Sequence, residues 1–371
     1  MNVFGLAPNR LKLGWLLICG LPLFVGGCGG SSSSTKTAPP GYQIADLGVL
    51  PGDGVSSASA LNSKGQVVGS SISPTGISHA FLYSGSGLIG LGTLPGGTTA
   101  QASGINTAGQ VVGVSDTSAG FNHAFLYSNG MMQDLGVLPG DTLSYATGIN
   151  SQGQVAGYSQ IPPPSPVPEN LTPSPTHAFV YTGTALTGLG ALPGDASSFA
   201  FAINDQGQVA GASFTSSGPE RAFLSTGGVL KDLGTPSGMY SSATGVNSKG
   251  QVVGTTGVFV PAQAPPVPSS TPQYAFLYSG TTPVSLGTLP GDTDSVADAV
   301  NDSGQVVGRS SGAGVDRAFL YSNGVMKDLT SLLPAGSGWT LTEATGINNT
   351  GQICGTGQHN NMRRAFLLTP Q

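Results

Sequence analysis

Apolar residues recur along the chain in short runs, with no sustained spacing of three to four, so the sequence predicts strands and no helix. The runs come in sets of four. Around residue 110 they are SGIN ending at Asn106, GQVVG at 109–113, HAFLYS at 123–128 and GMMQDLG at 130–136. Gly, Asn and Ser separate them at hairpin spacing. The Asn that ends each first run (62, 106, 150, 204, 247, 301, 348) is followed three residues later by Gly. This reads as turn chemistry, with Asn bonding its own backbone and Gly supplying a positive φ.

The sets repeat. LGVLPGD at 47–53 returns as LGTLPGG (91–97), LGVLPGD (135–141), LGALPGD (189–195), LGTPSGM (233–239) and LGTLPGD (286–292), with a degenerate LTSLLPAG from 329. The spacings are 44, 44, 54, 44, 53 and 43 residues. Two of them carry proline-rich insertions, 160–176 and 257–273. Four strands in about 44 residues is the size of one propeller blade.

The phase of the ends decides how the blades are joined. The first three strands occur seven times, ending with AFLL at 365–368, and nothing of the fourth type follows them. The seventh fourth strand stands ahead of all the others, at 42–48 (YQIADLG). It should complete the last blade and close a ring, because an open array gains nothing from this offset and exposes edges. The expected fold is therefore all-β: a seven-bladed β-propeller with four antiparallel strands per blade, closed by the N-terminal strand. Ala stands four positions before the Asn in all seven copies, and Ala or Gly two positions before it. Such small residues fit a first strand at the crowded axis.

The third strand carries a recognisable run: His79-Ala80-Phe81, His123-Ala124-Phe125 and His177-Ala178-Phe179, with Arg221, Tyr274, Arg317 and Arg364 replacing His in later copies. The pattern resembles the HAF repeat, a family of extracellular repeats, over about residues 42–369. The resemblance implies an extracellular repeat protein and no particular activity.

Composition fits this reading: 59 glycines and only 8% charged residues suit many short strands and tight turns. Ahead of the repeats, Arg10 and Lys12 precede an uncharged apolar run from Leu13 to Val25, too short to span a bilayer, and Val25-Gly26-Gly27-Cys28 follows. That order resembles a bacterial lipoprotein signal. It implies a signal peptide over 1–27, lipid on Cys28, a flexible Gly/Ser/Pro tether over 28–40 and a propeller over 41–371, attached to the cell envelope. Gly29 after the cysteine favours the outer membrane where there is one. Without residues 1–27 the chain holds ten basic against seventeen acidic residues. Nucleic acid is thereby excluded as a partner, since it needs a basic footprint. Cys354, alone in the repeat region and in the place of Val or Ala in other copies, reads as a small core residue.

Function should sit on the face that collects the LPGD turns and both insertions. Asp53, Asp141, Asp195 and Asp292 recur in those turns and invite pairing with the His or Arg that opens the third strand; blades 2 and 7 keep His123 and Arg364 without such an Asp. The three histidines fall on successive blades and do not converge as zinc ligands must. The sequence 85–90 (GSGLIG) matches a dinucleotide pattern on paper, but no helix follows it. No catalytic, cofactor or metal residue is assigned. Candidate ligand contacts are the aromatics outside the repeat pattern, Tyr145, Phe199, Tyr240 and Trp339, together with Glu343; Trp339 suits the closing seam equally. Among the non-repeating acids Glu169, Glu220, Asp294, Asp298 and Glu343, none stands apart. The expectation is a monomeric binding or scaffold module for a protein or glycan. The alternative is a glycan-active hydrolase or lyase on the same scaffold.

Overall fold

The computed structural model describes residues 41–162, 175–215, 218–258 and 272–371. The signal peptide, Cys28, the tether to residue 40, Glu169 and most of both insertions lie outside the described residues. Every strand belongs to one of seven antiparallel four-stranded sheets, and in six of them the strands follow in chain order. The seventh is built as expected from both ends of the repeat region: Tyr42–Asp46, Met362–Pro370, Ile353–His359 and Trp339–Ile347 lie side by side. Tyr42 stands opposite Pro370, Ile44 opposite Leu368 and Asp46 opposite Phe366. The chain is a seven-bladed β-propeller whose ring is closed by its first strand. One short 3-10 turn, Leu329–Leu332, departs from the all-strand expectation; it is capped by Asp328, whose carboxylate accepts from the Thr330 amide.

The innermost strand of each blade runs up to the turn asparagine. In blades 1 to 7 these strands are Val55–Leu61, Ala100–Ile105, Leu143–Ile149, Ser197–Ile203, Met239–Val246, Asp294–Val300 and Trp339–Ile347. Each touches its two neighbours around the ring, blade 7 against blade 1 included. Their recurrent alanines are buried.

The core is divided into seven clusters, one at each blade interface. At the first, Val68 and Ala80 of blade 1 pack with Leu91 and Leu94 of the connecting turn and with Ala102, Val111 and Phe125 of blade 2. The Phe of every His-Ala-Phe run is fully buried. Removing one would cost about 3–5 kcal/mol. Cys354 lies in the cluster joining blades 7 and 1, and burial pushes its thiol up to about 12, where it is an inert core group.

The turn asparagines do more than shape their own hairpins. Within the blade, Asn62 Oδ1 accepts from the amides of Lys64 and Gln66. Its Nδ2 also donates to the Asn106 carbonyl of the next blade, 3.0 Å away. The same bond runs from 106 to 150, 150 to 204, 204 to 247, 247 to 301 and 301 to 348, and Asn348 returns it to the Asn62 carbonyl at 3.1 Å. A closed belt of seven side-chain bonds thus ties the end of the ring opposite the insertions.

Candidate functional site

Each inner strand carries a β-bulge between its recurrent alanine and the residue two positions on. The bulged residue is three before the asparagine, and here the repeats use a hydroxyl to join blades. Ser103 Oγ donates to the Ala146 carbonyl of the next blade at 2.6 Å, and Thr147, Thr244 and Thr345 donate to the carbonyls of Ala200, Ala297 and Ala58. The side chain five before the asparagine belongs to the same inner wall. So does the one eight after it on the second strand, which stands opposite in register, as Tyr145 does to Tyr158 and Val296 to Arg309.

These three positions in seven blades make 21 places, and their departures from small residues are sorted by sector. Four are aromatic, all in blades 3 and 4. Tyr145 stacks on Tyr158 (ring centres 4.9 Å apart), Tyr158 meets Phe199 edge-on (4.9 Å), and Phe199 stacks on Phe201 and on Phe214 beside it. Three are charged, all in blades 6 and 7: Asp298, Arg309 and Glu343. The other places hold Ser, Thr, Gln, Val or Ala. On a ring of seven, the two sectors stand as nearly opposite as the symmetry allows.

The charged sector is one connected group. Arg309 Nη1 donates to Glu343 Oε1 at 2.6 Å across the interface of blades 6 and 7. Asp298 occupies the bulge where five of the other blades keep a hydroxyl, and its Oδ2 is buried without a hydrogen-bond partner. Burial, and to a lesser degree the Glu343 carboxylate, raise the Asp298 carboxyl well above the carboxylate range against the pull of Arg309. Asp298 and Glu343 are thus neighbouring carboxyls in unlike surroundings, one buried with Oδ2 unpartnered, the other paired with Arg309. Arg363, at the start of the third strand of blade 7, adds a cation close enough to feel Glu343.

A second group lies between these sectors, on blades 4 to 6. Tyr240 Oη donates to Gln273 Oε1 at 3.0 Å, and the Gln273 amide donates to Asp294 Oδ1 at 3.0 Å. Glu220 stands near the Tyr240 phenol, and burial pushes its carboxyl up to about 7. A carboxyl raised on folding contributes stability below the ordinary carboxylate range and loses it as pH rises through its folded value. The Glu220→Gln variant is therefore expected to melt above the wild type at pH 8 and level with it at pH 4.5. Equal differences at both pH values, followed by calorimetry, would remove this role from Glu220.

The remaining candidates are structural. Trp339 is buried, stacks on His359 (4.6 Å, 7° between planes) and meets Phe366 edge-on. His359 Nδ1 in turn lies 2.8 Å from Asp46 of the closing strand, so Trp339 covers the seam. The turn aspartates all form the pairs their spacing suggested: Asp53 with His79 (3.0 Å), Asp141 with His177 (3.0 Å), Asp195 with Arg221 (2.8 Å) and Asp292 with Arg317 (2.9 Å). Each fastens a turn to the third strand of its own blade. In the blades without that Asp, His123 turns to Asp134 of the outer strand, and Arg364 donates to the Gly54 carbonyl. No group of three metal-ligating side chains is gathered among the described residues.

Of the sequence candidates, Tyr145 and Phe199 come together in the aromatic sector and Glu343 in the charged one, while Tyr240 stands apart from both. Asp298, Arg309, Tyr158 and Phe201 complete the two sectors, and position-by-position comparison of the repeats was the signal that could have found them.

No protein-family model and no curated protein sequence matches the chain. Solved structures do, at the level of fold. The β-propeller domain of the Trilobed protease from Pyrococcus furiosus, described as having an open velcro topology, is 10% identical, with 85% of this chain and 94% of that one covered and a TM-score of 0.51. A prolyl endopeptidase matches at 10% identity (85% and 50% covered, TM-score 0.52). An acylaminoacyl peptidase, solved with Z-Gly-Gly-Phe-chloromethyl ketone, matches at 8% (85% and 51%, TM-score 0.53). The chain spans about half the length of these two peptidases. In contrast to the open topology of the Pyrococcus domain, strand pairing here closes the ring.

Proposed function

We propose that the chain is a lipid-anchored extracytoplasmic HAF-repeat propeller, a monomeric binding module that takes a protein or glycan ligand at the mouth of the ring bearing the insertions. One observation carries the ligand site. In a molecule that repeats itself closely, the aromatic and charged departures on the inner wall are collected into two facing sectors. Repetition serves the scaffold, and a scaffold alone gives no reason to concentrate differences there. The lipid anchor is supported by the charged start, short apolar run and Gly-Gly-Cys of residues 10–28. In a bacterial host, the chain should take up labelled fatty acid and sediment with membranes, and Cys28→Ala should abolish both; label retained on the variant would remove the anchor.

A second reading, a glycan hydrolase or lyase, is favoured by one feature: Asp298 and Glu343 are neighbouring carboxyls in unlike surroundings, burial raising the carboxyl of Asp298 while Glu343 is paired with Arg309, and acid–base chemistry on glycans uses two carboxyls of unlike character. Incubating the protein with the oligosaccharides it retains separates the two. Unchanged sugars identify a binding module, and shortened or unsaturated products identify an enzyme.

A further inference from the structure

Asp298 is in the wrong place for stability. Five of the other six blades put a Ser or Thr at this bulge, and four of these gain a bond to the next blade from it. Asp298 forms no such bond to Ala344, the equivalent acceptor, and leaves Oδ2 buried and unpartnered. An unsatisfied buried polar group costs more than the hydroxyl bond it displaces would have contributed. Its neighbours add to the cost. Thr255 of blade 5, Thr356 of blade 7 and Ser57 of blade 1 occupy the same inner-wall positions, and each also buries a hydroxyl without a partner. Four of the six such side-chain atoms among the described residues therefore lie along one arc of the wall, blades 5 to 1, centred on the charged sector. Groups that weaken a fold at one place are a mark of a site.

The chemistry of the arc indicates what it holds. The Asp298 carboxyl, Glu343 Oε2, the guanidinium edge of Arg309 not used on Glu343 and nearby hydroxyls together offer donors and acceptors at close intervals. Vicinal hydroxyls, each able to donate and accept, match such an array. Charges in the group offset one another in number: the cations Arg309 and Arg363 stand with the carboxylates of Glu343, which is paired with Arg309 and also acts on Arg363, and of Asp316, which acts on Arg309 from the third strand of blade 6. There is no surplus to attract an ion. Across the wall stand the half-buried rings of Tyr145, stacked on Tyr158, and Phe199, stacked on Phe201 and Phe214. We infer that the inner wall is a carbohydrate site for a neutral oligosaccharide, with hydroxyls bound by Asp298, Arg309 and Glu343 and a sugar face packed on Tyr145 and Phe199. This assignment rests on the reading of the chain as a binding module and narrows its ligand to one class.

The test follows from the conflict between stability and binding. The full chain, its Asp298→Thr and Glu343→Gln variants are applied to an array of neutral and uronate-containing oligosaccharides, with a solubilised envelope extract in parallel, and each protein is melted. The wild type should retain neutral oligosaccharides. Asp298→Thr should melt higher, through a restored bond to blade 7, and bind at least about tenfold more weakly, as the loss of a hydrogen bond to a buried acid predicts. Glu343→Gln should lose binding without the gain in melting temperature. Preference for uronates, or full affinity in either variant, overturns the assignment. Retention of a stoichiometric protein from the extract but of no sugar overturns it and leaves the binding module standing; retention of neither removes both.

Discussion

Gly157→Ala is expected to lower the stability of the propeller by about 3 kcal/mol, the upper end of the overpacking range, for the addition of one methyl group. Gly157 is the seventh residue after its turn asparagine, and Gly69, Gly113, Gly211, Gly254, Gly308 and Gly355 hold the same place in the other blades. A Cβ built there would fall on the Tyr145 carbonyl oxygen of the inner strand and come within 2.6 Å of the Phe179 ring. The ring could yield only by leaving a fully buried place, and the carbonyl belongs to backbone fixed by the neighbouring bulge. Neither can move alone. Thermal unfolding of the variant measures the effect, and a melt indistinguishable from wild type would show that the inner strand is far softer than its packing implies.

The second large effect concerns closure. Deleting residues 41–46 leaves the edge of Met362–Pro370 unpaired and removes Tyr42, which is buried, and Ile44, which packs against the core of blades 6 and 7. Each such side chain accounts for about 2–5 kcal/mol when removed from a core. The bare edge is also a template for pairing with another chain. The shortened protein should melt well below the intact one and elute as dimers or larger species in size-exclusion chromatography. If it remains monomeric with an unchanged melt, the seventh blade is held by its blade neighbours alone.

Much of this molecule could be read from its sequence because the same physical problem is solved seven times. The fourth-type strand at 42–48, displaced to the wrong end, was enough to specify a ring. The alanines of the inner strands, the turn aspartates and their His or Arg partners, and the buried character of Cys354 followed from comparing copies at equal positions. What stayed hidden needed contacts between copies. Asn62 has a sufficient local role in its own turn, so nothing in the sequence indicates that its amide also reaches the next blade. The bulge that brings Asp298 into the inner wall shifts the register by a residue, and without that shift Asp298, Arg309 and Glu343 do not appear as one group. Asp298 was visible as a non-repeating acid; its burial and the missing bond to blade 7 were not. Trp339 could be given either to ligand or to seam until His359 was found beneath it.

The pairing of Tyr42 with Pro370 has a consequence for how the protein can be manufactured. The beginning and end of the ring lie side by side, the Gln371 amide donating to the Gly41 carbonyl. A few glycines could join them, and the gene could be reopened at any exposed hairpin, such as the one at Asn129 and Gly130. Such circular permutants would present the same disc with fresh termini at a chosen blade, and so allow a label, a surface tether or a fused enzyme to be placed on whichever sector is wanted.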